Sequence, residues 1–69
     1  MYRVTALKNG VVTSDVENFP TQEEVLWAMQ AAAPQDYRDT LKAWFDGGAH
    51  EPLVIKESSE WSDLWEYVP

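Results

Sequence analysis

The sequence predicts an α+β fold in which a small antiparallel sheet carries a helical hairpin on one face. The predicted order is ββααβ, followed by a short C-terminal helix or a fourth strand. Three observations support it: an Asn-Gly pair between two β-prone segments, two stretches with helical spacing, and a later β-branched run. We find neither a linker nor an internal repeat, so residues 1–69 are expected to form a single domain.

The first two strands are predicted to form a β-hairpin around Asn9-Gly10, because residues 2–8 alternate with period two and a second β-prone segment follows the turn. A two-residue turn would place Val4 opposite Asp15, whereas a three-residue loop places Val4 opposite Ser14. We expect the three-residue loop because it separates apolar from charged side chains.

Two amphipathic helices are predicted after the hairpin. Thr21 begins the first helix with a capping box that is completed by Glu24. This helix should end near Ala33, because Pro34 disfavours helical backbone at the residue before it. The second helix is predicted over residues 35–46, where four apolar side chains share one face: Tyr37, Leu41, Trp44 and Phe45.

The last third of the chain predicts one strand and one ambiguous segment. Residues 52–57 are the best candidate for a third strand, and their apolar centre is typical of a strand inside a sheet. After them, apolar residues recur at helical spacing and predict a short C-terminal helix: Trp61, Leu64, Trp65 and Val68. The alternative is a fourth strand over residues 64–68, hairpinned onto the third, which the aromatic and β-branched content supports.

Charge and composition exclude several classes of function. Twelve acidic and five basic residues give a net charge of −7, whereas direct contacts with nucleic acid or anionic membranes need cation-rich surfaces. No apolar run approaches the roughly 20 residues of a membrane span. The absence of cysteine excludes disulfides and thiolate metal sites. We therefore expect a soluble, cytoplasmic protein that binds neither nucleic acid nor membrane.

The usual catalytic combinations are missing from the sequence. The single histidine, His50, lies in a Gly-Gly-Ala-His-Glu-Pro loop, where a solvated side chain is expected. No serine has the glycine setting of a nucleophile elbow, and neither a phosphate loop nor an Asp-rich calcium loop occurs. We predict no catalytic residue, no metal and no cofactor. An enzyme would need a pocket lined by His50 and several carboxylates.

The C-terminal segment offers aromatic anchors for a protein partner. If it is helical, Trp61, Trp65 and Val68 share one face, the pattern of a helix that binds in a groove. Residues 61–65, with Val-Pro shortly after them, resemble the transactivation-domain helix of the tumour-suppressor transcription factor that a RING ubiquitin ligase holds in its groove. This resemblance covers nine residues and identifies no family. The competing interpretation is that both tryptophans fold back and cover the sheet.

Trp27 is a second candidate contact, because it lies among acids on the face of the first helix opposite the predicted core. Protein interfaces are rich in tryptophan and tyrosine. A homodimer through this helix would bury Trp27 and enlarge a small core. Alternatively, the C-terminal segment covers it.

Acids recur at every third residue near the C-terminus: Glu57, Glu60, Asp63 and Glu66. Our first hypothesis is a non-enzymatic interaction module, an adaptor or inhibitor of the kind common in phages and mobile elements. It would bind a host protein through Trp27, Trp61 or Trp65, rimmed by acids. The alternative is a DNA mimic, in which a helical row of carboxylates imitates a phosphate strand and blocks a basic groove of a nuclease, polymerase or repressor.

Overall fold

Four strands and two helices make up the chain, and the computed structural model describes residues 1–69. In chain order they are β1 Tyr2–Lys8, β2 Val11–Phe19, α1 Gln22–Met29, α2 Gln35–Asp46, β3 Leu53–Lys56 and β4 Trp61–Tyr67. The sheet is antiparallel throughout, with the strand order β2-β1-β4-β3. Both helices pack on one face. The predicted α+β class and the order ββααβ are therefore confirmed, and the C-terminal element is the fourth strand.

The predicted C-terminal helix is wrong because the segment finds backbone partners on both sides. Leu64 of β4 lies opposite Thr5 of β1 on one side and opposite Val54 of β3 on the other. In a central strand the backbone N–H and C=O groups form hydrogen bonds with the neighbouring strands on both sides. These hydrogen bonds outweigh the helical spacing of the apolar side chains. As a result β3, predicted as an interior strand, lies at the edge of the sheet, and Val54 is exposed.

The β1–β2 hairpin has a two-residue turn, so the predicted three-residue loop is wrong. Asn9 and Gly10 have φ angles of 52° and 79°, the left-handed pair that a type I′ turn requires. Further along, residues 13–15 bulge opposite Ala6, which moves the register by two residues. Val4 then lies opposite Glu17. This pairing of an apolar residue with an acid is tolerated because β2 is an edge strand and the exposed carboxylate reaches water.

Both helices begin as predicted, but α1 ends early. The Thr21 hydroxyl accepts a hydrogen bond from the backbone N–H of Glu24 at 3.3 Å, as the capping box requires. α1 ends at Met29 rather than near Ala33. The guanidinium of Arg38 on α2 donates to the carbonyl of Gln30 at 3.0 Å, so the second helix satisfies the C-terminus of the first. α2 has the predicted bounds.

The core lies between the sheet and the helices. Eight buried residues form one cluster: Phe19, Val25, Tyr37, Leu41, Phe45, Ala49, Ile55 and Trp65. The predicted apolar face of α2 is confirmed, with Trp44 half-buried at its margin. On α1 only Val25 is buried, and Ala28 is exposed. With eight and twelve residues, α1 and α2 are too short and too polar for a membrane span.

The other face of the sheet carries no covering layer. Because side chains alternate along a strand, the positions between the core residues point away from the helices. We call this surface the open face. It comprises Val12, Val16 and Asn18 from β2, Arg3, Thr5 and Leu7 from β1, Ser62, Leu64 and Glu66 from β4, and Val54 and Lys56 from β3.

Candidate functional site

Trp27 is the most exposed large hydrophobic side chain of the protein, at 77%. On α1 the inward positions are Val25, which is fully buried, and Met29, which packs against the core. Trp27 lies two residues from each, and at 100° per residue that spacing turns its side chain away from both. Trp27 is therefore exposed, as its position predicted, and β4 does not cover it.

Acids lie beside Trp27 on the same side of α1. Glu23 and Glu24 precede it by four and three residues, the spacings of neighbours on a helix surface, and both are exposed. Acids in a first turn also suit the positive end of the helix dipole, which is a structural reason for their presence. α1 contains no basic residue. We call this surface, an indole beside two carboxylates, the α1 face.

The strand conformation of β4 separates the other predicted anchors. Trp65 is completely buried in the core, so the prediction that it contacts a partner is wrong. Trp61 is half-buried, with the Lys8 ammonium 5.8 Å from the centroid of its ring. Val68 is half-buried beyond the strand, and its N–H donates to the Met1 carbonyl at 2.7 Å. The groove-binding helix that the resemblance implied does not form.

The acids predicted to form a row point in different directions. In a strand, side chains separated by three residues lie on opposite faces, so Asp63 faces the helices and Glu66 lies on the open face. Glu66 is hydrogen-bonded to Arg3 at 2.7 Å, and Glu60 is paired with Lys8 at 3.3 Å. The geometric basis of the DNA-mimic interpretation, a helical row of carboxylates, is therefore wrong.

A cavity of about 410 Å³ lies between β2, α1 and the inner face of the sheet. We call it the α1–β2 cleft. Met29 and the buried Trp65 are among its apolar walls, and Asp15, Glu17 and Asp63 line it with three carboxylates. No basic residue lines the cleft. The bulge of β2 places Asp15 at its rim.

A hydrogen-bonded network beside the cleft links α2 to β4. The indole N–H of Trp65 donates to the Tyr37 hydroxyl oxygen at 2.9 Å, and that hydroxyl donates to Asp63 Oδ2 at 2.6 Å. Burial raises the pKa of Tyr37 well above its usual value of 10.0, and the hydrogen bond to Asp63 raises it further. The hydroxyl therefore stays protonated at neutral pH. In this way a buried indole N–H and an inward-facing carboxylate are both satisfied.

Glu57 follows β3 and faces the same network. Burial raises the pKa of its carboxyl above the usual 4.5, and the neighbouring Asp63 raises it further through its charge and a hydrogen bond. Two carboxylates that lie close together do not ionise independently. At neutral pH the side chains of Glu57 and Asp63 therefore repel each other.

Replacing Glu57 with Gln should raise the melting temperature at pH 7 and have a smaller effect at pH 4. A carboxyl whose pKa is raised by folding stabilises the protein below its unfolded-state pKa, and this contribution is lost as the pH rises through the folded-state pKa. Thermal unfolding at both pH values measures the effect. Glu51→Gln, at an exposed acid of the preceding loop, controls for the change in net charge. A lower melting temperature at pH 7 would contradict the expectation.

The α1–β2 cleft was not predicted, although two inward-facing acids in the sequence indicate it. Glu17 lies two residues before the core residue Phe19, and Asp63 lies midway between Trp61 and Trp65. Each acid therefore shares the strand face of large aromatic side chains. An acid at an inward position needs a partner or access to water, so this alternation indicates a buried network or a cavity.

His50 is exposed in the loop between α2 and β3. It lines a depression of about 240 Å³ together with Glu51 and Glu66, and Glu66 is already hydrogen-bonded to Arg3. The depression contains neither a serine nor a threonine that could act as a nucleophile. The fold brings together no group of three or more His, Cys, Asp or Glu side chains that could hold a metal ion.

Comparison with known protein families, characterised proteins and solved structures finds no match. The α1 face and the α1–β2 cleft are therefore interpreted from their own geometry and chemistry.

Proposed function

We propose that the protein is a non-enzymatic interaction module that binds a partner protein through the α1 face. The observation that carries this proposal is the exposure of Trp27, at 77%. A pocket that encloses the exposed indole would remove about 150 Å² of apolar surface from water, worth about 4 kcal/mol before ordering costs. Tryptophan is also among the residues that most often dominate binding energy at interfaces.

The partner we propose presents an apolar pocket with basic residues around it. Glu23 and Glu24 lie next to Trp27, and the net charge of the protein is −7. Among the basic residues, Arg3 and Lys8 are already paired with acids of the protein itself. Complementary charge accelerates the encounter with a basic partner and disfavours acidic ones.

The role we propose for such a module is that of a cytoplasmic inhibitor or adaptor. Its small size, the single exposed anchor and the missing catalytic combinations support this role. Phages and mobile elements use proteins of this kind against host proteins, so a host protein is the partner to seek first.

Trp27→Ala should weaken partner binding strongly and leave the fold unchanged. The side chain lies outside the core and alanine favours helix, so the circular dichroism spectrum and melting temperature should match those of the wild type. Calorimetric titration against a partner purified from host lysate should show affinity weakened about 30-fold or more. Val11→Ala, which truncates a side chain that is 67% exposed at the hairpin turn, is the matched control. Equal affinity of the wild type and Trp27→Ala would overturn the proposal.

The alternative function is mimicry of a nucleic acid. What supports it is the excess of acids, since only Glu60 and Glu66 of the twelve form ion pairs within the protein. Salt dependence distinguishes the two functions. The affinity of a mimic falls steeply between about 50 and 200 mM salt, because many charge contacts are screened. The affinity of binding anchored by Trp27 falls less over this range, because the indole contact is apolar and only Glu23 and Glu24 lie beside it.

A further inference from the structure

We propose that the open face of the sheet binds a second copy of this chain, forming a homodimer. A row of four side chains crosses all four strands at the middle of this face: Val16, Thr5, Leu64 and Val54. Val16 and Val54 are 49% and 57% exposed, and Val12 in the adjacent row is 63% exposed. The centre of the open face is thus an apolar band at which each edge strand leaves a valine in water.

The distribution of charge indicates that the occupant is another copy. The open face carries two basic residues, Arg3 and Lys56, and one acid, Glu66, which is already hydrogen-bonded to Arg3 at 2.7 Å. This gives the face a net charge of +1 within a protein whose total is −7. The other eleven acids lie elsewhere. Two copies therefore repel each other least when their open faces meet.

The α1 face suits a second copy much less well. A two-fold contact through α1 would bring Glu23 and Glu24 of each copy together around the two Trp27 side chains. Like charges held close together oppose association, and α1 has no basic residue to compensate. Self-association therefore belongs to the open face, and the α1 face remains available to a different partner.

The positions of these residues fit a two-fold axis that is parallel to the strands. The axis lies midway between the two stacked sheets, at the boundary between β1 and β4. Such an axis places β1 over β4 of the second copy and β2 over its β3. Arg3 then faces Glu66 of the other copy, and Val16 faces its Val54, with each contact occurring twice. Two sheets stacked in this way lie about 10 Å apart and share an apolar layer, as in a β-sandwich.

The dimensions of the face indicate a weak dimer. Four strands about 4.8 Å apart and seven residues of about 3.3 Å each make a surface of about 20 by 23 Å. This is smaller than the roughly 800 Å² per partner of a standard interface. In addition, Thr5 and Leu7 are already buried by their neighbours, so the edge valines supply most of the gain. We expect a dissociation constant of about 10–100 µM.

Sedimentation equilibrium from about 1 µM to 1 mM tests the dimer, the range that brackets the expected constant. The wild type should rise from 7.9 kDa toward twice that mass. Val16→Glu should remain monomeric throughout, since it places a charge in the apolar layer. Val11→Glu is the matched control, because Val11 is 67% exposed but lies outside the open face, and this variant should still dimerise. Wild type that stays monomeric, or Val16→Glu that dimerises normally, would overturn the proposal.

Mixing two variants tests the two-fold arrangement and also checks that each is folded. Val16→Glu and Val54→Lys should each be monomeric alone, but an equimolar mixture should dimerise because the new carboxylate and ammonium face each other across the axis. Within one copy these positions lie on opposite edge strands and cannot pair. A mixture that stays monomeric contradicts this arrangement. Trp27→Ala should dimerise like the wild type, and loss of its dimer would overturn the open-face assignment.

Discussion

Trp65→Ala should remove a large part of the stability of the protein at 25 °C. Trp65 is completely buried, and its strand lies at the centre of the sheet between β1 and β3. Truncation of a buried tryptophan to alanine costs about 3–5 kcal/mol, because transfer energy is lost and a cavity remains. The whole stability of a 69-residue domain is about 3–10 kcal/mol, so this one change removes a large part of it.

Trp27→Ala is the matched control for this experiment, since it makes the same substitution at an indole that is 77% exposed. Far-UV circular dichroism during urea unfolding compares both variants without relying on tryptophan fluorescence. We expect Trp27→Ala to unfold at the same urea concentration as the wild type and Trp65→Ala to unfold at a much lower one. A Trp65→Ala variant within about 1 kcal/mol of wild type would show that the core is not organised around this side chain.

Tyr37→Phe should lower the free energy of unfolding by about 1–3 kcal/mol, although it removes only one oxygen. The Tyr37 hydroxyl accepts from the buried Trp65 indole at 2.9 Å and donates to Asp63 at 2.6 Å. Without it, the indole N–H is buried with no acceptor and the carboxylate loses a donor. Water from the α1–β2 cleft can reach the position of the missing hydroxyl and replace its hydrogen bonds. The loss of free energy should then be near the lower end of this range.

Tyr67→Phe is the control for the hydroxyl, because Tyr67 is 52% exposed and its hydroxyl has no hydrogen-bond partner in the protein. It should unfold at the same urea concentration as the wild type. A double-mutant cycle with Asp63→Ala isolates the 2.6 Å contact. If Tyr37→Phe costs as much in the Asp63→Ala background as in the wild type, the tyrosine–aspartate hydrogen bond does not contribute to stability.

Local signals predicted the helical half of the fold well. The Thr21 capping box, Pro34 and the spacing of apolar residues in α2 act within a few residues of one another, and they place the helix starts and the bounds of α2. The exposure of Trp27 follows from the same local geometry. At the early end of α1, the Arg38 side chain of α2 donates a hydrogen bond to the Gln30 carbonyl. A local sequence pattern does not contain this contact between two helices.

The sheet could be predicted only in outline, because its pairing is non-local. Trp61 and Trp65 are separated by four residues, which places them on one face of a helix and also on one face of a strand. The choice between the two depends on the hydrogen bonds from β1 and β3 on either side. Helical spacing alone therefore predicts that Trp65 contacts a partner, although Trp65 lies in the core.

The register of the hairpin could not be predicted for a different reason. A two-residue turn is disfavoured only if the ladder is regular from the turn onward. The bulge at residues 13–15 makes the ladder irregular, and the Thr13 hydroxyl stabilises the bulge by donating to the Ala6 carbonyl at 2.8 Å. The same bulge places Asp15 at the cleft.

The shape of the two outer strands limits how the protein aggregates. β3 has only four residues, follows Pro52, which lacks an N–H, and carries Lys56, while the bulge at residues 13–15 interrupts β2. A further strand therefore finds no long straight ladder on either side, which disfavours extension of the sheet from molecule to molecule into fibrils. Concentrated solutions should therefore remain free of amyloid, although about two-fifths of this aromatic-rich chain is β-strand.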